Sequence, residues 1–341
     1  MRYIKCVVWD LDNTIWNGII LEEDKITLKN NIIEILDTLD KRGILLSIAS
    51  KNNYDDAIVK LNEFGIGHYF LYPQINWNAK SNSILEIQQS LNIGLETILF
   101  IDDQEYELEE VKYSIPEVTV INANHYEKIL DMEILKPRIV TEDSSKRRLM
   151  YIQDQQRKEY EENFKGPSSQ FMSSLNMIFT MSLAQEEDLL RAEELTIRTN
   201  QLNSTGIQYS HEELKSFIHS PKHQLWICEL VDKYGSYGKI GLALIEVEEN
   251  ALKIKLLLMS CRIMSRGVGT VLLTMIMKQA KRMNKKLIAE FVRTPRNRQM
   301  LLTYQFANFK ERNKCDDLII FENDLNIIQD YPPFIKVHIC E

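Results

Sequence analysis

The sequence has no hydrophobic run near the roughly 20 apolar residues that cross a bilayer, and its first residues lack the long apolar core of a secretory signal. Its five cysteines are scattered, odd in number and without CxxC spacing, which argues against a disulfide framework and a structural zinc site. None of the six histidines falls at metal-ligand spacing. We therefore expect a cytoplasmic protein with free thiols and no membrane partner.

An excess of basic charge is also missing, since 41 lysine and arginine residues face 49 acidic residues and the net charge is −8. The backbone of a nucleic acid needs a basic face, so the composition indicates no nucleic-acid partner. A small phosphorylated substrate needs only a local basic pocket, which the net charge does not exclude. The length of 341 residues predicts about two domains, at roughly 150 residues each.

The first third of the chain alternates short apolar runs with amphipathic helical segments. Strands are predicted at 6–9, 44–49 and 97–101, and helices at 30–41, 54–64 and 81–91. Apolar strands separated by helices are typical of a parallel, doubly wound sheet, in which ligands bind at the carboxyl ends of the strands.

A polar segment and a Gly-Pro-Ser-Ser break precede a second region of mixed helices and strands. There we predict helices at 186–198, 211–219 and 269–283, and strands at 224–231, 239–246, 252–259 and 286–291. The expected boundaries are 1–135 for the first domain, 136–168 for a helical linker and 169–341 for a second α/β domain.

Polar residues follow the predicted strands of the first domain in an order that suits phosphoryl transfer. Asp10 and Asp12 follow the first strand, where one carboxylate can attack phosphorus while the other protonates the leaving oxygen and later activates water. The Ser50 hydroxyl and the Lys80 ammonium group can bind the phosphoryl group. The carboxylates at positions 102 and 103 are hard ligands of the kind Mg²⁺ prefers. The alternative is a set of solvated loop acids beside an unrelated serine and lysine, and the ordered set disfavours it.

This ordered set resembles the four sequence motifs of the haloacid dehalogenase (HAD) superfamily. The resemblance implies that Asp10 forms an aspartyl-phosphate and that Asp12 is the general acid/base. The phosphate-binding and substrate-binding residues would be Thr14, Ser50, Lys51 and Lys80. The Mg²⁺ ligands would be Asp10, Asp12 through its backbone carbonyl, Asp102 and Asp103. The short segments 16–28 and 50–80 leave no room for a large cap domain, so we expect a Rossmann-like parallel sheet with a minimal cap and an open site.

The second domain contains a glycine loop at 265–270, directly before an apolar helix. Backbone N–H groups at a helix N-terminus suit a pyrophosphate, and the layout resembles a GNAT-type acyltransferase. The GNAT loop reads Arg/Gln-x-x-Gly-x-Gly, whereas Met264 takes the Arg/Gln position here, with Arg262 and Arg266 nearby. Acetyl-CoA binding by the ordinary GNAT route is therefore not expected, and the glycines are equally explained by a helix start that needs backbone room.

Three further motifs extend the resemblance to nearly the whole chain: Arg-Thr-Asn-Gln-Leu-Asn at 198–203, Met-Ser-Cys-Arg at 259–262 and Arg-Thr-Pro-Arg-Asn at 293–297. Together with the first domain they resemble the FkbH-like glyceryl transferase/phosphatases of polyketide assembly lines. That family moves a glyceryl group from 1,3-bisphosphoglycerate, a small phosphorylated C3 substrate, through a cysteine to the phosphopantetheine thiol of an acyl carrier protein. The resemblance implies Cys261 as the catalytic thiol, with substrate contacts from Asn200, Asn203, Arg262 and Arg266.

Purely structural roles also stay open for Cys261, Asn200 and Asn203. Free cysteine is commonly a small buried hydrophobe, and Asn200 and Asn203 are equally suited to capping the end of a helix. Two other functions also stay open. One is a HAD phosphatase whose GNAT-like domain only binds a carrier protein or CoA, and the other is a CoA-dependent acyltransferase with a HAD appendage.

Overall fold

The computed structural model describes residues 3–22, 25–264 and 266–340. The chain divides into two compact units, Met1–Ile152 and Gln153–Glu341. Unlike the expected linker, the polar segment 136–168 is shared between the units. Arg148 forms a two-point ion pair with Asp40 in the first unit, and Arg157 forms one with Asp232 in the second. These ion pairs give each half of the segment a place in a folded unit.

The first unit is built on a parallel sheet. In chain order its described strands are β1 (Cys6–Trp9), β2 (Trp16–Asn17), β3 (Thr27–Leu28), β4 (Leu45–Ser50), β5 (Gln74–Ile75), β6 (Ile98–Asp102) and β7 (Thr119–Asn122). Its described helices are α1 (Ile32–Lys41), α2 (Tyr54–Glu63), α3 (Lys80–Leu91), α4 (Glu105–Ser114) and α5 (Glu142–Ser145). Five of these strands form the sheet in the order β5-β4-β1-β6-β7, and β2 and β3 form a small hairpin.

Strand β1 lies at the centre of this sheet and is buried on both faces. Val7 and Trp9 belong to one hydrophobic cluster, while Cys6 and Val8 belong to another on the opposite face. The register places Trp9 beside Ile48 of β4 and Ile101 of β6, so the residues that follow these strands meet at one edge. The parallel, helix-covered sheet predicted from the continuous apolar runs is therefore confirmed.

The second unit contains a mixed sheet. Helix α6 (Arg147–Asn163) crosses the boundary, and the later described helices are α7 (Ser168–Ser174), α8 (Leu189–Arg198), α9 (His211–Ile218), α10 (Val268–Arg282) and α11 (Arg298–Phe306). The described strands are β8 (Met177–Leu183), β9 (His223–Asp232), β10 (Gly235–Val247), β11 (Ala251–Met259), β12 (Lys286–Val292), β13 (Lys310–Cys315), β14 (Leu318–Asn323) and β15 (Ile335–Cys340). They form a sheet in the order β13-β14-β12-β11-β10-β9-β8-β15.

Strands β11 and β12 are parallel and joined through α10, as a GNAT-like α/β domain requires. They pair only from Ala251 to Ile254 on β11, and beyond that point they separate. The segment 202–204 fills the gap, because Ser204 N–H donates to Leu257 O and Val292 N–H donates to Ser204 O, both at 2.9 Å. The expected fold class, a HAD-type sheet followed by a GNAT-like α/β domain, is confirmed.

Several elements of the second unit are absent from the sequence-based prediction. Strand β13 is exposed along its whole length and has a polar sequence, so it lacks the alternation that marks a strand. Strand β15 pairs in parallel with β8, more than 150 positions away in sequence. Its place is set by that distant partner. No helix in the described part of the chain is long and apolar enough to cross a membrane.

Candidate active site

The carboxyl edge of the first sheet brings together Asp10, Lys80 and Asp102. Asp10 follows β1, Lys80 begins α3 and Asp102 ends β6, and all three side chains are nearly excluded from solvent. The Lys80 ammonium group hydrogen-bonds Asp10 Oδ1, lies 3.0 Å from Asp102 Oδ2, and donates to the backbone carbonyl of Ala49 at 2.8 Å. One buried cation therefore links two carboxylates from separate strands.

Asp103 joins the same carboxylate cluster. Asp10, Asp102 and Asp103 each offer an oxygen atom within 4.8 Å of the other two. Burial, and then the charge of Asp10, raise the pKa of Asp102 to about 7, and the same two causes raise the pKa of Asp103. Carboxylate oxygens at this spacing suit a small divalent cation, whose charge would relieve their mutual repulsion. The donor set therefore fits Mg²⁺.

The neighbouring carboxylates also raise the pKa of Lys80, which stabilises its charged form. Burial lowers the pKa of Lys80, but the neighbouring carboxylates of Asp10 and Asp102 outweigh that effect and the net pKa is raised. Lys80 is therefore a permanent buried cation at neutral pH. A phosphoryl group beside Asp10 would meet this charge directly.

Asp12 is held apart from that cluster by three hydrogen-bond donors. Its Oδ1 accepts from Trp16 Nε1 at 2.8 Å and from the backbone N–H of Ile20 at 3.4 Å, and its Oδ2 accepts from Asn52 Nδ2 at 2.9 Å. Burial raises the pKa of Asp12 despite these hydrogen bonds. A carboxyl group with a raised pKa suits proton donation. Its side chain is not in the carboxylate cluster, so any metal contact falls to its backbone carbonyl.

The remaining expected phosphate-binding residues of the first unit differ in their burial and in their hydrogen-bond partners. Ser50 is the last residue of β4, and Thr14 is fully buried with no hydrogen-bond partner for its hydroxyl among the described residues. Lys51 Nζ pairs with Glu107 Oε1 at 2.6 Å. In this structure the charge of Lys51 is therefore directed to a carboxylate.

In the second unit, Cys261 is half-buried in a short 3₁₀ turn that follows β11. Arg262 donates to the backbone carbonyl of Tyr237 at 3.0 Å, and Nη1 and Nη2 of Arg266 both donate to Glu161 Oε2 at 3.3 Å. Burial raises the pKa of Asp154, an effect that Arg262 opposes, which places Arg262 near that carboxyl group. Both arginines therefore have hydrogen-bond acceptors on other residues of the unit.

The two predicted asparagines have different surroundings. Asn200 is exposed. Asn203 is fully buried, and its Oδ1 accepts from the backbone N–H groups of Thr205 at 3.1 Å and Gly206 at 2.8 Å. Its backbone carbonyl accepts from Asn297 Nδ2 at 3.1 Å. Asn203 therefore organises the chain that fills the gap between β11 and β12.

A cavity of about 340 Å³ opens between α10 and α11, beside the end of β11. It is mainly apolar, with polar groups from Thr270, Gln299 and Thr303. Gly267 caps the start of α10 at a φ of +79°, which favours glycine, and a side chain at Gly269 would crowd Met259. The glycines thus have a packing role at the cavity wall. Ser265, the first residue of the predicted loop, lies outside the described residues.

Sequence reasoning missed the residues that orient the predicted ones. Trp16 and Asn52 hold Asp12, and Glu107 holds Lys51. Asn52 could have been found from the sequence, because it lies two residues after Ser50, at the end of a buried strand where site residues collect. Nothing in the sequence around Glu107 indicates its role, because its partner Lys51 follows a different strand, β4.

One family of known proteins matches part of the first unit. Residues 14–114 match the family described as haloacid dehalogenase-like hydrolase, a range that begins just after Asp10 and Asp12. The first unit therefore contains a HAD-like hydrolase domain. No curated protein matches the chain.

Solved structures are similar to each half of the chain. The N-terminal part of a Bacteroides fragilis protein, containing a phosphatase domain complexed with Mg, is 28% identical with a TM-score of 0.30, and the match covers 44% of this chain and 39% of that one. The ribosomal-protein-S18-alanine N-acetyltransferase of Escherichia coli is 17% identical with a TM-score of 0.34, covering 42% of this chain and 92% of that one. A HAD-superfamily hydrolase from Ehrlichia chaffeensis is 16% identical with a TM-score of 0.30, covering 36% and 87%.

Proposed function

We propose that this chain is a bifunctional, Mg²⁺-dependent glyceryl transferase and phosphatase of the FkbH-like type, which loads a glyceryl group on an acyl carrier protein in polyketide biosynthesis. The observation that carries the phosphatase half is the buried Asp10–Lys80–Asp102 arrangement with Asp12 beside it. The transferase half is supported by the motifs around Asn203, Cys261 and Asn297 and by the GNAT-like fold that holds them. A working Cys261 thiol needs a reducing compartment, so we place the activity in the cytoplasm.

In the phosphatase reaction, a carboxylate oxygen of Asp10 attacks phosphorus and the ester oxygen leaves with its electron pair. Asp12 gives that oxygen a proton, and an aspartyl-phosphate remains. Asp12 then takes a proton from water, which attacks phosphorus and regenerates Asp10. Lys80 and the Ser50 hydroxyl hold the phosphoryl oxygens during both steps. Bound Mg²⁺ would sit among the carboxylates of the cluster and screen the repulsion between Asp10 and an anionic substrate.

In the transferase reaction, the Cys261 thiolate attacks the carbonyl carbon of 1,3-bisphosphoglycerate. The C–O bond to phosphate breaks, phosphate leaves with the electron pair, and a phosphoglyceryl thioester forms. The thiol of a phosphopantetheine arm then takes the acyl group and releases Cys261. The mainly apolar cavity between α10 and α11 has room for such an arm. Dephosphorylation by Asp10 before or after this transfer gives the same glyceryl thioester.

A phosphatase whose second unit only binds a carrier protein or CoA is the competing function. Its support is that Arg262 donates to Tyr237 O and Arg266 contacts Glu161, so part of the charge beside Cys261 is engaged elsewhere. Under this alternative, Cys261→Ala changes neither carrier binding nor phosphate release from simple esters.

Intact-protein mass spectrometry separates these functions. The Asp10→Asn variant, incubated with 1,3-bisphosphoglycerate and Mg²⁺, should accumulate a phosphorylated acyl adduct on Cys261. The exposed Cys315 provides the matched control, so Cys315→Ala should keep the adduct and Cys261→Ala should lose it. Addition of a holo carrier protein should move the acyl group to the carrier. An unmodified Cys261 under these conditions would refute the transferase half.

A further inference from the structure

Helix α3 begins at Lys80, the residue whose ammonium group reaches Asp10. The residue before a helix ordinarily caps it, because its side-chain oxygen accepts a hydrogen bond from the second or third backbone N–H of the helix. In α3 that residue is Ala79, whose side chain has no oxygen atom. The N–H of Ser81, the second residue of the helix, therefore needs an acceptor from another element.

The acceptor is the carboxylate of Glu110 in helix α4. Glu110 Oε2 accepts from the backbone N–H of Ser81 at 3.1 Å, and Oε1 accepts from the Ser81 hydroxyl at 2.5 Å. Ser81 is only 5% exposed, so water has little access to replace either hydrogen bond. A negative charge at the start of a helix is also favoured by the helix dipole. Glu110 thus caps α3 from a different helix.

Helix α4 connects this cap to the rest of the reactive edge. It begins two residues after Asp103, a member of the carboxylate cluster. Glu107 lies one turn before Glu110 on the same face of the helix, and it pairs with Lys51, which directly follows Ser50. One helix therefore contacts both expected phosphate-binding segments and follows directly from the carboxylate cluster.

The position of the Lys80 ammonium group depends on where α3 begins. That group contacts Asp10, Asp102 and the backbone carbonyl of Ala49, and the side chain is only 3% exposed. Because Lys80 is the first residue of α3, a shift in the first turn of the helix moves its ammonium group relative to all three partners. A displacement of about 1 Å at a reacting centre can lower a rate by about 100-fold. A residue that fixes the first turn can therefore affect the reaction without touching substrate.

We propose that Glu110 is a positioning residue of the phosphatase site, which holds Lys80 against the phosphoryl group by capping α3 from α4. The inference rests on the proposed function, because it requires Lys80 to bind the phosphoryl group beside Asp10. Glu110 contacts Ser81, so its effect on substrate passes through the first turn of α3.

The test measures the inhibition constant of inorganic phosphate against Mg²⁺-dependent hydrolysis of p-nitrophenyl phosphate. Displacement of Lys80 weakens a charge-assisted hydrogen bond to phosphate, so Glu110→Ala should raise this constant by about 10-fold. A purely structural role would reduce the amount of folded enzyme, which lowers the apparent kcat and leaves the inhibition constant unchanged. An unchanged constant would therefore overturn the proposal. Glu109→Ala, at the exposed neighbouring position of α4, is the matched control and should leave the constant at the wild-type value.

A second-site variant tests the cap itself. Ala79→Ser places a hydroxyl oxygen at the ordinary capping position, where it can accept from the N–H of Ser81. The double variant Ala79→Ser, Glu110→Ala should therefore return the inhibition constant to within about 3-fold of the wild type. A constant that stays as high as in Glu110→Ala would show that Glu110 acts by some route other than the cap, and would overturn the proposal.

A milder substitution covers loss of folding in Glu110→Ala. Glu110→Gln keeps one side-chain acceptor for Ser81 and removes the charge, so the inhibition constant should rise by a smaller factor. If Glu110→Ala does not fold, an unchanged constant in Glu110→Gln would overturn the proposal.

Failure of the proposed function has a different signature. A wild-type protein that does not hydrolyse p-nitrophenyl phosphate would remove both proposals. Hydrolysis that Asp10→Asn abolishes, with a phosphate inhibition constant indifferent to Glu110, would remove this inference alone.

Discussion

Replacement of Lys80 by methionine tests whether the phosphoryl-transfer site is held by one buried cation. A methionine at this position keeps much of the length of the side chain and removes its charge. The change leaves the buried carboxylates of Asp10 and Asp102 facing each other and takes a donor from Ala49 O. We expect a folded but strongly destabilised first unit.

The magnitude follows from the burial of the pair. Lys80 and Asp102 side chains are 3% and 1% exposed, so solvent screens their interaction little. Breaking a buried ion pair by removing one partner costs about 3–5 kcal/mol. For a unit of this size, each kcal/mol lowers Tm by roughly 2–4 °C, so the expected drop is roughly 6–20 °C.

Thermal and urea unfolding of the full chain, followed with and without Mg²⁺, measures this effect. A divalent cation that binds among the carboxylates replaces the missing positive charge, so Mg²⁺ should raise the Tm of Lys80→Met more than that of the wild type. Lys60→Met is the matched control. Lys60 forms an exposed pair with Glu63, for which less than about 1 kcal/mol is expected.

Two results would refute the reasoning. A loss below about 1 kcal/mol in Lys80→Met would mean that the carboxylates are neutral or solvated in the protein. An equal gain from Mg²⁺ in the variant and the wild type would mean that the metal binds elsewhere.

Three further predictions concern the same structure. Because the pKa of Asp102 is raised to about 7, a proton competes with a cation there, so Mg²⁺ titrations should show weaker binding at pH 6 than at pH 8, and Asp102→Asn should remove most of that difference. Asp12→Asn should lower kcat for phosphate monoesters by about 10²–10⁴-fold, because Asp12 acts in both the formation and the hydrolysis of the aspartyl-phosphate, and an unchanged kcat would contradict the assignment. Asn203→Ala should destabilise the second unit by about 1–3 kcal/mol, since the buried N–H of Thr205 loses its acceptor, whereas the exposed Asn200→Ala should change unfolding by less than about 0.5 kcal/mol.

The amino-acid sequence alone determined the first sheet and its reactive edge. Strands β1, β4 and β6 are continuous apolar runs, and such runs need burial on both faces, which only a helix-covered parallel sheet provides. Parallel strands end at one edge, so Asp10, Ser50 and Asp102 had to meet there. This part was predictable because each signal is local to one strand and its first following residues.

Only the tertiary structure decided which partners those residues take. Asp12 is held by Asn52 from 40 positions away, Lys51 by Glu107 from 56 and Asn203 by Asn297 from 94. Hydrogen bonds of this kind depend on which strands become neighbours, and no periodicity within one segment records that choice. The resemblance to the HAD motifs implied Lys51 as a phosphate-binding residue, whereas in the structure its ammonium group pairs with Glu107 of α4.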